Sequence, residues 1–211
     1  MRAVRWFIAL VIFAGICWRF PLVHVVTMKT ATAEKVAATF NATSFAESFW
    51  TNPLLASASG KAVRTELLLP AIQADPNAAK RKFARSLGLS ENYFYFVSGS
   101  GRIMAVSDDF VSLAVTGGST NAEISLQTGL IFGDAVRDGT GLLNASDYPN
   151  SQDFNDISAA LNRIAETTVL PKLREQAKVG AKISFAGCAE VDDEATDLKP
   201  LKVIPIQTEV Q

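Results

Sequence analysis

The residues best suited to chemistry lie between Ile124 and Asn162. An apolar stretch there leads into a glycine-punctuated segment that carries the adjacent pair Arg137 and Asp138. Arginine offers a rigid fork of donors that suits a substrate carboxylate or a sugar hydroxyl. The same pair could instead brace the segment, with the arginine bonding backbone carbonyls and the aspartate capping a turn. Both interpretations place the pair in a loop between a strand and a helix.

Carboxylates are the other candidates for chemistry in this segment, where five aspartates are close in sequence: Asp134, Asp138, Asp147, Asp153 and Asp156. Paired acids can drive hydrolysis or hold Ca²⁺. However, their spacing fits neither an EF-hand loop nor a glycosidase pattern, and acids near the start of a helix are favoured by its dipole. A structural role is therefore the simpler interpretation, and a hydrolase of saccharide or envelope substrates is the alternative.

Several catalytic arrangements are excluded by composition. His24 is the single histidine and lies beside the apolar N-terminal segment, which excludes a Ser-His-Asp or Cys-His arrangement and zinc sites built from His and Cys. The sequence Gly99-Ser100-Gly101 lacks the third glycine and the following helix of a dinucleotide fold, so we interpret it as a hairpin turn. We therefore predict no catalytic residue, no metal and no cofactor.

The two cysteines, Cys17 and Cys188, are far apart in the chain. Since Cys17 belongs to the N-terminal apolar segment, the rest of the chain cannot form an internal disulfide. Cys188 lies in an apparent strand, and we expect it to be buried and to behave as a small apolar residue.

An export signal is indicated at the N-terminus. Arg2 and Arg5 precede the apolar run Trp6–Trp18, which is typical of a signal but short for a bilayer. If Arg19 reaches the interface, residues 6–26 could span the membrane. The positive flank stays cytoplasmic, so we predict a signal anchor in the bacterial inner membrane and a body that faces the periplasm.

Two processed forms are alternatives to this retained anchor. Ala14-Gly15-Ile16-Cys17 is similar to a lipoprotein processing box, in which Cys17 would be lipidated. Ile16 departs from the Gly, Ala or Ser that normally precedes that cysteine. A cleavage site of the A-x-A type, Ala31-Thr32-Ala33, lies rather far beyond the apolar run.

Composition bounds the remainder of the chain. With 211 residues and 48% apolar content, it can bury one good core. The first 26 residues hold three arginines and no acid, which leaves 17 basic and 21 acidic residues and a net charge of −4. This mildly acidic balance argues against nucleic acid as a partner.

Two or three short helices are predicted in residues 40–90, after a tether of residues 27–39. The first runs to about Trp50, with Asn41 or Thr43 as its N-cap and Pro53 as its end. A second follows Gly60, with Pro70 as a kink or stop. A third is predicted at Ala78–Leu87, with a solvated basic side: Lys80, Arg81, Lys82 and Arg85.

From Asn92 the pattern changes to short strands, predicted at residues 93–97, 102–106, 110–115 and 123–132. One long helix, Gln152–Val179, should follow, with Asn150 or Ser151 as its cap and Gly180 as its end. Pro171 should kink this helix or split it in two. Gln152 could be a buried polar anchor between loop and helix.

Two more strands, Lys182–Val191 and Leu201–Val210, flank an acidic loop at 192–197.

This order predicts an α+β fold. Three strands, a helix and two strands are typical of an antiparallel OB-like barrel, here in residues 91–211 after the helical residues 40–90. A helix-flanked antiparallel sheet is the alternative. We expect residues 40–211 to form a single periplasmic domain.

The chain resembles the family called predicted periplasmic lipoprotein, domain of unknown function 2291. The resemblance rests on FNATSFAESFW at 40–50, on Gly99-Ser100-Gly101, on the Ile124–Asn162 segment and on the Phe185-Ala186-Gly187 strand. The family's motif falls on Gln127, Gly129, Gly133, Arg137, Asp138, Asn150 and Gln152. This chain departs from the motif at Leu130, where a proline is usual. It also has Asn150-Ser151-Gln152 where the family commonly has an adjacent Asn-Gln pair, and its lipoprotein box is atypical.

The resemblance implies a compartment and no reaction. Genes of the family often lie beside sugar-type ABC transporter genes, which implies an accessory role in solute uptake. We therefore expect a tethered, non-enzymatic protein that binds an ABC transporter component, a solute-binding protein or a small ligand. Its candidate binding residues are Arg137, Asp138, Gln127, Gln152 and Asn150. A purely structural envelope protein is a third possibility.

Overall fold

The computed structural model describes residues 40–87, 91–148 and 150–211. The predicted anchor and tether, with Cys17 and His24, lie outside these described residues. Asn41–Gln211 form one compact unit. Within the described part of the chain, every helix is too short or too polar to cross a bilayer.

Helix α1 spans Ala42–Phe49, and Asn41 caps it by accepting a hydrogen bond from the Ser44 N–H at 3.0 Å. The prediction that Pro53 ends this helix is wrong. The chain continues through a π-helical turn, Trp50–Leu54, into α2, Leu55–Ala58. A wider turn accommodates the proline ring and its missing N–H. Continuing the helix also buries Trp50 and Leu54.

The next helices differ modestly from their predicted bounds. A short strand, β1 (Val63–Arg64), precedes α3 (Thr65–Ala74), which continues past Pro70. Helix α4 spans Pro76–Phe83 and is followed by β2, Arg85–Ser86. It ends earlier than predicted because β2 pairs with the strand that begins at Tyr93.

Five longer strands follow: β3 (Tyr93–Val106), β4 (Phe110–Ala114), β5 (Ile124–Gln127), β6 (Lys182–Val191) and β7 (Leu201–Val210). The predicted bounds of β6 and β7 are confirmed. β3 pairs with β4, β4 with β5, β5 with β7, β7 with β6, and β6 with β3. The β5–β7 pair is parallel, so the sheet is mixed rather than wholly antiparallel.

Gly99-Ser100-Gly101 is not a hairpin turn, which corrects the sequence interpretation. All three residues lie inside β3 and pair with Phe185, Ser184 and Ile183 of β6. Gly99 is required because a Cβ there would collide with the Thr65 side chain, and a Cβ at Gly101 would lie 2.8 Å from the Ala114 carbonyl oxygen. Close approach of neighbours, rather than a turn, explains these glycines.

The connection from β5 to β6 is helical. It contains α5 (Ala135–Gly139), a 3₁₀ turn (Ala145–Asp147), α6 (Ser151–Ile164), a π-helical turn (Ala165–Val169) and α7 (Leu170–Gln176). The predicted long helix is therefore interrupted before Pro171 and ends earlier. The last short helix, α8, is Glu194–Asp197, within the predicted acidic loop.

Two apolar clusters hold the fold together. Tyr93, Tyr95 and Val97 of β3 belong to one, which also contains Leu173 of α7. Phe94 and Phe96 alternate with them and belong to the other, which contains buried apolar residues of α1, α5 and α6. The side chains of a strand alternate between two faces, so β3 contributes to both clusters. The result is a mixed α+β fold in which α1, α5 and α6 form a helical layer on the face of β3 that carries Phe94 and Phe96, while α3 and α7 contribute to the cluster on the other face.

Candidate interaction site

Arg137 and Asp138 lie in α5 rather than in a loop, and both are buried. The Arg137 Nε and Nη2 donate to Asp138 Oδ1 and Oδ2, each at 2.8 Å. Asp134 Oδ2 lies 3.1 Å from Nη2. Burial alone would lower the pKa of Arg137, but the two carboxylates raise it above its ordinary value. The guanidinium is therefore held firmly charged.

The same guanidinium reaches α6. Its Nη1 lies 3.3 Å from both the Phe154 carbonyl oxygen and Asn155 Oδ1. The Phe154 ring covers it at 4.0 Å from the centroid, which is a cation–π contact. The two polar contacts of Nη1 and the three to Asp134 and Asp138 together account for the five N–H donors of the arginine. The geometry is that of a brace between α5 and α6, and ligand binding by Arg137 stays a prediction.

The aspartates of the segment have different surroundings. Asp134 and Asp138 face the same buried cation, and Asp156 accepts a hydrogen bond from Gln152 Nε2 at 2.8 Å. Asp147 is exposed on the 3₁₀ turn, and Asp153 lies in the first turn of α6. Among the described residues, no group of three or more His, Cys, Asp or Glu side chains is placed to hold a metal ion.

The other predicted site residues do not converge on Arg137. Asn150 caps α6, since its Oδ1 accepts from the N–H groups of Gln152 and Asp153 at 2.6 and 3.2 Å. Gln152 is exposed, so it is not the buried anchor that the sequence suggested. Gln127 ends β5, and its side-chain amide donates to the Leu130 carbonyl.

Gln127 leads to a feature that the sequence reasoning missed, which we name the braced loop, residues 128–134. The predicted strand 123–132 stops at Gln127 because the next two N–H groups bond to the Asp109 carbonyl. Further along, the Ile131 N–H donates to Glu166 Oε1 at 2.8 Å. Hydrogen bonds from several elements therefore fix the backbone of this loop.

The carbonyl of Gly133 closes the braced loop onto α6. It accepts from Ser158 Oγ at 3.1 Å and from Asn162 Nδ2 at 2.9 Å. Gly133 has a φ of +82°, a backbone conformation that favours glycine. Its carbonyl is thus held by two buried side chains, which tie the loop to α6.

Two large apolar side chains project from this fixed loop. Leu130 is 69% exposed and Phe132 is 78% exposed, whereas Ile131 between them is only 6% exposed. The Leu-Ile-Phe run suggested a continued strand. Its flanking glycines, Gly129 and Gly133, were the signal that could have identified an exposed tip.

Charged side chains lie at both ends of the braced loop. Arg174 Nη2 donates to the Thr128 carbonyl at one end. At the other end a Cβ at Gly133 would lie 3.0 Å from Glu190 Oε2. Burial raises the pKa of Glu190, and the charges of Asp192 and Asp134 also raise it, against hydrogen bonds from Asn92 and the Asp134 N–H that lower it. The Phe132 end of the loop is therefore the acidic one.

Cys188 of β6 lies under α5, and its predicted burial is confirmed. A Cβ at Gly139 would approach the Cys188 Cβ at 3.0 Å and its Sγ at 3.1 Å. Burial raises the pKa of the thiol, which keeps it protonated and unreactive. Gly139 and Cys188 are small so that the helix and the sheet can approach closely.

The fold is that of an OB-type α+β domain with a helical layer. It is similar to the crystal structure of an OB-fold protein from Thermotoga maritima, with a TM-score of 0.73 and 24% sequence identity. The match covers 82% of this chain and 100% of that chain. A comparison with curated proteins gives no match.

A family model described as predicted periplasmic lipoprotein, domain of unknown function 2291, matches residues 6–209. The chain belongs to this family, and the expected resemblance is confirmed.

Proposed function

We propose that this protein is a membrane-tethered periplasmic accessory protein that acts by binding a partner, in support of a sugar-type ABC transporter. One observation carries the proposal. The side chains of Arg137, Asn162 and Glu166 hold α5, α6 and the braced loop together, and the loop presents Leu130 and Phe132 outward. Such an arrangement suits a binding surface fixed before its partner arrives, which lowers the entropic cost of binding.

Membrane tethering supports the same proposal. A transporter is confined to the membrane, and a tether keeps a binding domain at high effective concentration next to it. The periplasmic lipoprotein family, to which the chain belongs, is consistent with a body on that side. The proposed anchor is residues 6–26, with the inner membrane as its location.

The pairing of the carboxylates argues against the hydrolase alternative. The candidate catalytic groups of a hydrolase were the aspartates of the Ile124–Asn162 segment. Two of them, Asp134 and Asp138, pair with Arg137. A glycosidase needs its two carboxyl groups on either side of an open substrate position.

Affinity capture of the full chain from native membranes tests the proposal. We expect a permease or solute-binding component of a sugar-type ABC transporter to co-purify after mild detergent extraction. The control carries residues 1–39 fused to an unrelated periplasmic domain, and it should capture none. Recovery of no transporter component above this control would contradict the proposed function.

A further inference from the structure

We infer that Leu130 and Phe132 are the docking contact, and that they enter an apolar pocket rimmed by lysine and arginine on a partner protein. The inference rests on the proposed function, because it names the surface by which partner binding occurs. A phenylalanine and a leucine next to each other on one loop form an anchor of the kind that dominates protein interfaces.

Exposure in a fixed conformation is the first argument. The outward side chains flank Ile131, which is buried in the apolar cluster of the helical layer. Burial of Ile131 ties the middle of this run to the core, while both of its neighbours face water.

The hydrogen bonds of the braced loop are the second argument. Glu166 holds the Ile131 N–H, and Ser158 and Asn162 hold the Gly133 carbonyl. These three side chains come from one helical segment, 151–169, and act on a loop that only has to connect β5 to α5. They fix the tip before binding, as an anchor requires.

Charge selects the kind of partner. Glu190 lies against Gly133, next to Phe132, and Asp192 adds negative charge there, whereas Asp134 is paired with Arg137. At the far end of the loop Arg174 Nη2 donates to the Thr128 carbonyl. The acidic residues on the Phe132 side of the tip are complementary to a pocket bordered by lysine or arginine. Their charge is the wrong sign for attraction to anionic lipids, which basic residues recognise.

The chain offers a matched control for exposure. Leu67 on α3 is 61% exposed, and no other apolar side chain within two residues of it is as exposed. Single exposed apolar residues are ordinary on protein surfaces. A substitution at Leu67 should therefore leave partner binding unchanged.

The test uses the full chain in native membranes, with a photo-reactive phenylalanine analogue at position 132 or, as control, at position 67. We expect a light-dependent adduct with a transporter component at position 132 only. The adduct site on that component should lie among apolar residues bordered by Lys or Arg. An adduct with lipid or with a second copy of this chain, an adduct site without basic neighbours, or no adduct would overturn the inference.

A substitution pair provides the second measurement. Phe132→Asp should reduce capture of the transporter component at least ~10-fold, and Leu67→Asp should not change it. Circular dichroism of both variants checks the fold. If the native chain captures the component and Phe132→Asp captures it equally, the docking inference fails and the proposed function stands. If the native chain captures none and no transporter adduct forms, the proposed function fails. An adduct at position 132 with a different protein, at a site among apolar residues bordered by Lys or Arg, would then still support the docking inference, and its absence would overturn it.

Discussion

Arg137 carries its charge into the interior, where Asp138 meets it through two contacts at 2.8 Å. Removing charges from water is costly, and a buried pair compensates for this only when its geometry is good and the remaining donors are bonded. Here the carbonyl of Phe154 and the Asn155 side chain accept from the remaining nitrogen. Arg137, Asp138 and their acceptors on α6 therefore form one structural unit, and losing any one of them leaves a buried polar group unpaired.

Arg137→Ala should destabilise the protein by about 3–5 kcal/mol, because it leaves the buried Asp138 carboxylate without a counter-charge. Urea unfolding followed by circular dichroism measures the change in the free energy of unfolding. The control is Arg102→Ala, at an exposed position on β3, where the change should stay within about 0.5 kcal/mol. Equal unfolding midpoints for the two variants would contradict the brace.

Glu190→Gln should stabilise the protein at neutral pH. A raised pKa means that the folded state disfavours the charged carboxylate, so the native chain loses stability as the pH rises through that pKa. Below the ordinary glutamate pKa of about 4.3 the carboxyl is neutral in both states, and the advantage of the Gln variant should vanish. Unfolding free energies measured from pH 3 to 8 test the sign.

The control for this series is Glu209→Gln on β7, an exposed position where the change should stay within about 0.5 kcal/mol. The Glu190 carboxylate accepts from Asn92 Nδ2, at 3.3 Å, and from the Asp134 N–H, whereas an amide has only one acceptor oxygen. A Glu190→Gln variant that is less stable than the native chain at pH 7 would show that this second acceptor outweighs the charge.

At the scale of elements, β3 connects most of the sheet. It pairs with β1 and β2 on one side of its first half, with β6 on the other side, and with β4 at its end. A strand that is paired on both sides has little room between neighbours, and Gly99 allows the Thr65 side chain to pack against it. The position of α3 therefore depends on the absence of a side chain in β3.

Gly99→Ala should destabilise the protein by about 1–3 kcal/mol, because the new methyl group overlaps Thr65, whose side chain is buried. Thermal unfolding measures the loss. Gly60→Ala is the matched control, since nothing lies within 4 Å of a Cβ at that position. If Gly99→Ala were as stable as Gly60→Ala, the close packing of the Thr65 side chain on Gly99 would be contradicted.

At the scale of the whole molecule, the two apolar clusters share one sheet. Leu173 of α7 belongs to one cluster, and Trp50 next to α1 belongs to the other. The strands between them contribute alternate side chains to each cluster. A substitution that weakens the packing of one cluster should therefore also lower the stability of the other cluster.

Leu173→Ala should lower the free energy of unfolding by about 2–5 kcal/mol, because Leu173 is fully buried and its truncation leaves a cavity. The transition followed by Trp50 fluorescence should shift with that followed by circular dichroism, in a background with Trp6 and Trp18 replaced by phenylalanine. Separate transitions would mean that the helical layer and the sheet unfold independently.

Much of the fold could be predicted because its signals are local. Alternation and turn residues located β6 and β7, and the capping preference of asparagine located the starts of α1 and α6. Gly99-Ser100-Gly101 was interpreted wrongly because glycine marks both turns and close packing, and only the neighbours distinguish them.

For the candidate site, the sequence located the segment but not the roles of its residues. Arg137 could have bound a ligand or braced a loop, and its side chain alone does not decide. The surrounding carboxylates and the Phe154 ring show the brace, and they come from positions set by helix packing. Leu130 and Phe132 were hidden in an apolar run whose strand ended early.

By itself, the sequence determined the family, the order of strands and helices, and the apolar and polar periodicity that each one needs. The tertiary structure decided which side chains are buried and which face water. That division has a physical cause: periodicity depends on neighbours along the chain, whereas burial depends on residues that are distant in sequence. Glu190 and Asn162 meet Gly133 only after β6 and α6 have packed, and this packing leaves Phe132 facing outward.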